Sequence, residues 1–368
     1  MAGSFLKVGY NFTSDLLDYI INSRRTSTGN TISEVYGSRS ESSALSARPK
    51  FRIPNVSRSD FRNHIQKLGD AGVSFDYTLN TSNLGTKQDI IDHEQKIKEY
   101  IRFLLDCGVA TITVTLPIMA SFVREVSCGV NLELSTIAGI ETVTQVKIWK
   151  DEFDINKICC NLSKNRDFSF LRALSNYCYG QNIELILIAN EFCGNGVYNA
   201  DTHTYSATGC IFRDHCYALH SLDYSKTDIL PNDYPMGYCI GSRSDASVWL
   251  KMNFIRPEDL TTYNKIGISH FKLTGRTGTT SFIKKVCNAY IQGIYNGNLL
   301  DLWKHLETIS DQSDNSFIPM HIIPNSQLNG FINYWANSTN HNCANEICGI
   351  TCKYCDSYYE QHIRGSKT

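Results

Sequence analysis

Short apolar runs rich in β-branched residues recur along the chain, separated by longer stretches with apolar residues every three or four positions. The runs are FLKVGYNF (5–12), TISEVYG (31–37), VSFDYTLN (73–80), ATITVTL (110–116), NLELSTI (131–137), KICCNLS (157–163), IELILIA (183–189) and SHFKLTG (269–275). Their length and residue types predict strands. Between them, DLLDYIINS, SDFRNHIQKLGDAG, QDIIDHEQKIKEYIRFLLDCG, ASFVREVSCG, TVTQVKIWKDE, DFSFLRALSNYCYG and EDLTTYNKIG carry a helical period. Several of these close on Gly, as helices tend to. Eight strands alternating with helices predict an α/β fold, a (β/α)8 TIM-barrel-like architecture. A doubly wound sheet is the alternative, but no G-x-G-x-x-G follows the first strand.

Two segments interrupt the rhythm. Residues 24–50 are polar and loop-like apart from the second strand, and residues 190–250 form a long loop after strand seven. Loops of that length in a compact domain are usually functional or disordered. In a barrel both emerge at the C-terminal face, where active sites sit. The expected organisation is a barrel over 1–295 carrying the 190–250 loop, then a helical, Cys-rich extension over 296–368 that begins with the helix NLLDLWKHLET. The strand ends are polar: Asn11, Glu34, Asn80, Ser135, Asn190, Glu191, Lys272 and Arg276 are expected to point toward one mouth.

The charge is balanced, Lys+Arg 35 against Asp+Glu 36 over 368 residues, so no global basic field argues for nucleic acid. The start, MAGSFLKVGYNF, lacks the basic and apolar pattern of a signal peptide. The most apolar window, GVATITVTLPIMASFV, is too short to span a bilayer. A cytoplasmic protein with no membrane association is expected.

The 14 cysteines are therefore not expected to form disulfides. Cys107, Cys128, Cys178 and Cys287 lie on helical patterns, and Cys159 and Cys160 in a strand; these six read as small apolar packing residues. The other eight form two groups. Cys193, Cys210, Cys216 and Cys239 fall in the irregular stretch after IELILIAN, where a loop gathering thiolates can hold a soft metal or an iron–sulfur cluster. Their uneven gaps do not suit a tight zinc ribbon. Cys343, Cys348, Cys352 and Cys355 sit within one short span, HNCANEICGITCKYC. Zinc or an iron–sulfur cluster fits thiolate-only ligation there. The C-x-x-x-C-x-x-C spacing from Cys348 resembles that of radical S-adenosylmethionine enzymes. In those the motif follows the first barrel strand; here it follows the last, which excludes that reading.

STIAGIETVTQVKIW (135–149), IELILIANEFC (183–193), the cysteine loop and FIRPEDLTTYNKIGISHFKLTGRT (254–277) together resemble the collagenase-like peptidase family, U32. Pro257, Glu258, Leu260, Gly267, Phe271, Lys272, Gly275 and Arg276 match its later segment. ARPKFRIPNVSRSDF, FDYTLN and the Cys-rich tail look like an iron–sulfur-bearing subgroup. The resemblance implies a barrel holding a [4Fe–4S] cluster through Cys193, Cys210, Cys216 and Cys239. It also implies oxygen-independent hydroxylation, as in relatives acting on ubiquinone precursors and RNA. In some relatives prephenate is implicated as oxygen donor.

The leading expectation is thus an iron–sulfur oxidoreductase acting on a small metabolite, natural-product scaffold or nucleotide, with an electron donor as partner. Glu191, Lys272 and Arg276 are the candidate catalytic residues. Asn11, Glu34, Arg48, Asn80 and Ser135 are candidates for substrate binding, with Lys272, Arg276 and Arg48 suited to clamp a carboxylate or phosphate. The tail cysteines are expected to hold a second [4Fe–4S] cluster or zinc. A second reading is a non-catalytic or electron-transferring subunit beside a homologous partner. A third is a peptidase, for which His203, His215 and His220 could serve a nucleophile, although no G-x-S-x-G or H-E-x-x-H is present.

Overall fold

The computed structural model describes residues 3–23, 28–48, 50, 53–191, 197–199, 204–206, 246–303, 321–338 and 343–364. Its centre is a closed barrel of eight parallel strands: β1 (Phe5–Gly9), β2 (Thr31–Gly37), β3 (Ser74–Leu79), β4 (Thr111–Val114), β5 (Asn131–Leu134), β6 (Lys157–Cys159), β7 (Glu184–Ile188) and β8 (His270–Leu273). Neighbours in sequence are neighbours in the barrel, and β8 closes it by pairing with β1, Lys272 opposite Lys7. All eight sequence-predicted strands are present, so the barrel stands and the doubly wound alternative falls.

Helices cover the outside: α1 (Ser14–Asn22), α2 (Arg58–Asp70), α3 (Lys87–Asp106), α4 (Pro117–Val126), α5 (Val143–Phe153), α6 (Phe168–Gly180), the short α7 (Leu260–Asn264) and α8 (Thr280–Gln292). Their starts are written locally. Thr86 with Asp89 and Thr142 with Gln145 form reciprocal capping boxes, which satisfy amide groups that the first helical turn leaves open. Outward strand residues such as Leu6, Val8, Phe75, Ile112, Val114, Leu132 and Leu134 share one continuous core with helix residues such as Leu16, Phe61, Ile101 and Val123. A smaller apolar cluster, Cys159, Ile186 and Ile188, lies apart from it, with Leu162 packed against it. The alternation along β6 and β7 sends these side chains to the opposite face, into the barrel.

Beyond the barrel, Leu299, Leu302, Trp303, Ile323, Leu328, Phe331, Trp335, Cys355 and Ile363 join the main core. Buried Arg256 braces this junction, with a bidentate ion pair to Asp259 and a bond to the Asn325 carbonyl at 2.8 Å. The expected helix NLLDLWKHLET begins as a 3-10 turn over Leu299–Leu302; residues 304–308 lie outside the described set. The cysteine loop contributes a small antiparallel ribbon, Val197–Asn199 with Thr204–Ser206. Cys193, Cys210, Cys216 and Cys239, and with them His203, His215 and His220, lie outside the described residues. Among the described residues no helix is long and apolar enough to cross a membrane.

Candidate active site at the barrel mouth

Apart from the apolar patch of Cys159, Ile186 and Ile188, the barrel interior holds a network of charge in place of the branched apolar layers common in such folds. Lys7 pairs with Glu34 at 2.9 Å and Asp76 at 2.8 Å, and also bonds Glu133. Lys157 reaches Glu34 at 3.1 Å, and Lys272 reaches Glu133 at 3.3 Å. Thr113 donates to Asp76 and Thr111 to Glu34 at 2.8 Å. Three ammonium groups thus balance the three buried carboxylates, and Lys157, half-buried at the edge of the set, also pairs with Glu184 at 3.4 Å. Such a network is stable only while every member has its partner. Burial alone would depress Lys7, but Asp76, Glu133 and Glu34 outweigh it and hold its pKa well above the usual range. Burial likewise acts to raise Glu34, yet Lys7 and Lys157 win and pull it down to about 2. Asp76 goes the other way: burial, then the adjoining Glu133, push its carboxyl up against the opposing pull of Lys7.

Above this layer the balance changes. Arg276 follows β8 directly, and two glycines set its place. A Cβ on Gly9 would lie 2.6 Å from the Arg276 backbone nitrogen, and one on Gly275, at φ +123°, would lie 2.6 Å from the Phe282 ring. The close approach of β1 to the β8–α8 turn therefore requires both. The guanidinium donates to Thr78 Oγ1 and, at 3.4 Å, to Ser46 Oγ. The β2–α2 loop supplies Ser46 and Arg48. It is pinned to the exit of β3, where Ala47 N donates to Asn80 Oδ1 and Thr81 N to the Leu45 carbonyl. Desolvation, then the charge of Arg48, bring Arg276 down to about 10. Among the described residues neither arginine has a carboxylate in ion-pair range. Tyr36 forms the floor, its ring 4.3 Å from Lys272 Nζ and 5.8 Å from the Arg276 guanidinium. The mouth is a half-buried cationic surface over a neutral interior, suited to an anion.

The candidate residues divide. Arg276 and Arg48 converge at the mouth, Asn80 and Ser135 adjoin it at 3.5 Å from one another, and half-buried Glu191 at the exit of β7 is in electrostatic range of Tyr36. Asn80 and Ser135 also have framework duties, the latter capping the turn at Ile137. Glu34 is not at the mouth. It is the fourth residue of β2, contacts the first residues of β4 and β6, and belongs to the interior network. Lys272 is likewise inside the barrel, paired with Glu133 under the Tyr36 ring. Asn11 bonds Gly278 O and Thr280 Oγ1, fastening β1–α1 to β8–α8. Buried Asn190 ties the end of β7 to Thr274 N at 2.6 Å and to the Leu302 carbonyl at 2.9 Å. Lys7, Tyr36, Asp76 and Glu133 were missed by reading strand ends. Their signal is a polar residue flanked by two apolar ones within a strand, as in Leu6-Lys7-Val8 and Leu132-Glu133-Leu134, which marks an inward barrel position.

The tail cysteines lie at the base of the helix Tyr354–His362. Cys355 is buried in its first turn, Cys348 and Cys352 are joined by a β-bridge, and Cys343 accepts a hydrogen bond from Trp335 Nε1 at 3.0 Å. Among the described residues no three Cys, His, Asp or Glu side chains stand as a ready ligand set.

No family model matches the chain. In sequence it is similar to a protein of Methanocaldococcus jannaschii named "uncharacterized protease", at 24% identity over 293 residues, which is 79% of this chain and 78% of that one. In structure it is similar to a solved U32 peptidase at 12% identity, covering 75% of this chain and 93% of that one with a TM-score of 0.48. It is also similar to a D-psicose 3-epimerase at 9% identity, covering 51% and 73% with a TM-score of 0.35.

Proposed function

We propose that the chain is a U32-type barrel enzyme that binds an anionic small molecule or nucleotide at its C-terminal mouth, with Arg276 and Arg48 as the anion clamp. The observation that carries this reading is the pair of adjoining guanidiniums with no carboxylate partner among the described residues, set over a charge-balanced interior. Two arginines held so close repel each other, and a carboxylate or phosphate bridging them relieves the repulsion and gains charge-assisted bonds. Thr78 and Ser46 orient Arg276 from behind, so its position is set before the ligand arrives. Glu191, at the rim, is the group placed to accept or deliver a proton.

The reaction class we favour is oxygen-independent redox chemistry, hydroxylation in particular. Its support is the donor set of Cys193, Cys210, Cys216 and Cys239, four thiols spread along the long segment after β7, a set that suits an iron–sulfur cluster. Such a cluster, when bound, would supply electron transfer. The name of the M. jannaschii relative favours a hydrolytic reading instead. One preparation separates them. Anaerobically purified protein should carry iron and sulfide, and inorganic phosphate or a dicarboxylate should raise its melting temperature through Arg276. Peptide cleavage that persists after iron removal would support the hydrolytic reading.

A further inference from the structure

The most unusual charge outside the barrel is Arg166, in the turn between β6 and α6. It is 2% exposed and lies in an aromatic box, its guanidinium 4.3 Å from the Trp335 ring, 5.0 Å from Phe254 and 5.2 Å from Phe331. Its Nη1 donates to the Leu250 carbonyl at 2.9 Å and faces Cys355 Sγ at 3.9 Å. Among the described residues its Nε and Nη2 have no acceptor. A buried guanidinium with no carboxylate partner and two open donors among the described residues is costly, a cost that an anion seated beside it would offset.

The groups around it are sulfurs. Cys343, Cys348 and Cys352 all lie within electrostatic range of Cys355. Trp335 links the two sets directly: its ring covers Arg166 and its Nε1 bonds Cys343 Sγ. A second cation adjoins. Lys251 Nζ is near Cys348, and would be 3.4 Å from a Cβ on Gly349; its paired acid is Asp356, at 2.7 Å. As four neutral thiols this cluster gives Arg166 nothing to neutralise it. As four thiolates on one metal centre it would be an anion.

We propose that Cys343, Cys348, Cys352 and Cys355 form a tetrathiolate metal centre, with Arg166 as its buried counter-cation. The chemistry balances without redox: four S–H groups lose protons to solvent and four S–metal bonds form. Around Zn²⁺, or around a [4Fe–4S]²⁺ cluster, four thiolates leave a net charge of −2. Arg166 and Lys251 stand beside that charge. Since the thiols are not gathered to one point in the structure, the Cys348–Cys352 loop must close on Cys343 and Cys355 when metal binds. Through Arg166 the centre would also fix Leu250, at the return of the long cysteine loop to the barrel.

The test is native alkylation of the whole chain, purified without oxygen, before and after treatment with a strong chelator. Half-buried Cys348 and Cys352 should be protected as isolated and labelled after chelation, whereas exposed Cys128 should be labelled in both. Equal labelling of Cys348 and Cys352 in the two samples overturns the proposal. A Cys348→Ser/Cys352→Ser variant should lose about one metal centre per chain relative to wild type, a loss that Cys128→Ser should not show. Undiminished metal in the double variant is equally fatal. Zinc without sulfide, or iron with sulfide, identifies the centre, and either supports it. Titrated with Co²⁺, Arg166→Gln should bind more than tenfold more weakly at unchanged stoichiometry; unchanged affinity removes Arg166 from the account. None of these outcomes bears on the anion clamp at the mouth, so the two readings fail separately.

Discussion

Replacing Glu34 with Gln removes one carboxylate from the barrel interior at nearly constant volume. Glu34 takes ammonium groups from Lys7 at 2.9 Å and Lys157 at 3.1 Å and a hydroxyl from Thr111 at 2.8 Å. These partners hold its pKa at about 2, against 4.5 when solvated. A group whose pKa falls on folding stabilises the native state above its unfolded value and loses that contribution as pH drops through the folded one. By linkage this difference is worth about 3 kcal/mol at pH 7, falling to about 2 kcal/mol at pH 3.5. Glu34→Gln should therefore lower the free energy of urea unfolding by about 3 kcal/mol at pH 7. The gap between wild type and variant should narrow on acidification from pH 5 downward. The assay is urea unfolding followed by tryptophan fluorescence at pH 7, 5 and 3.5. A gap that is absent at pH 7, or that stays constant to pH 3.5, would refute the reasoning.

Other outcomes follow from the same geometry. Arg276→Gln should weaken phosphate or dicarboxylate binding by at least tenfold, the loss of one or two charge-assisted bonds, while leaving iron content unchanged. Gly9→Ala should destabilise by about 1–3 kcal/mol, because its Cβ would collide with the Arg276 backbone at 2.6 Å, and thermal unfolding with the anion titration should show both losses. Cys193→Ala and Cys239→Ala should each abolish the iron assigned to the loop; full iron in either variant removes that residue from the ligand set.

The barrel was legible because each strand is a compact β-branched run and the helices between carry a clear 3.6-residue period. The site was legible in part. Arg276 could be placed at the mouth because it lies just past β8, but Lys272, four residues earlier, is within the strand and so inside the barrel. Glu34 was misplaced for the same reason: depth along a strand depends on the register with its neighbours, which one sequence does not display. Arg48, proposed above as an anion contact, could be placed in the sequence only as part of a polar segment, since nothing local shows that Ala47 and Thr81 pin that segment over β3. The aromatic surroundings of Arg166 were not legible, because the residues that box it come from positions 254, 331 and 335.

The central claim, an anion clamp at the mouth, is tested most directly by calorimetric titration of the anaerobically purified protein with inorganic phosphate and with succinate. Wild type should bind one of these anions at a single site, and the Arg48→Gln/Arg276→Gln protein, folded by circular dichroism, should bind neither. Equal affinity in the two proteins, or no binding of either anion to wild type, would contradict it.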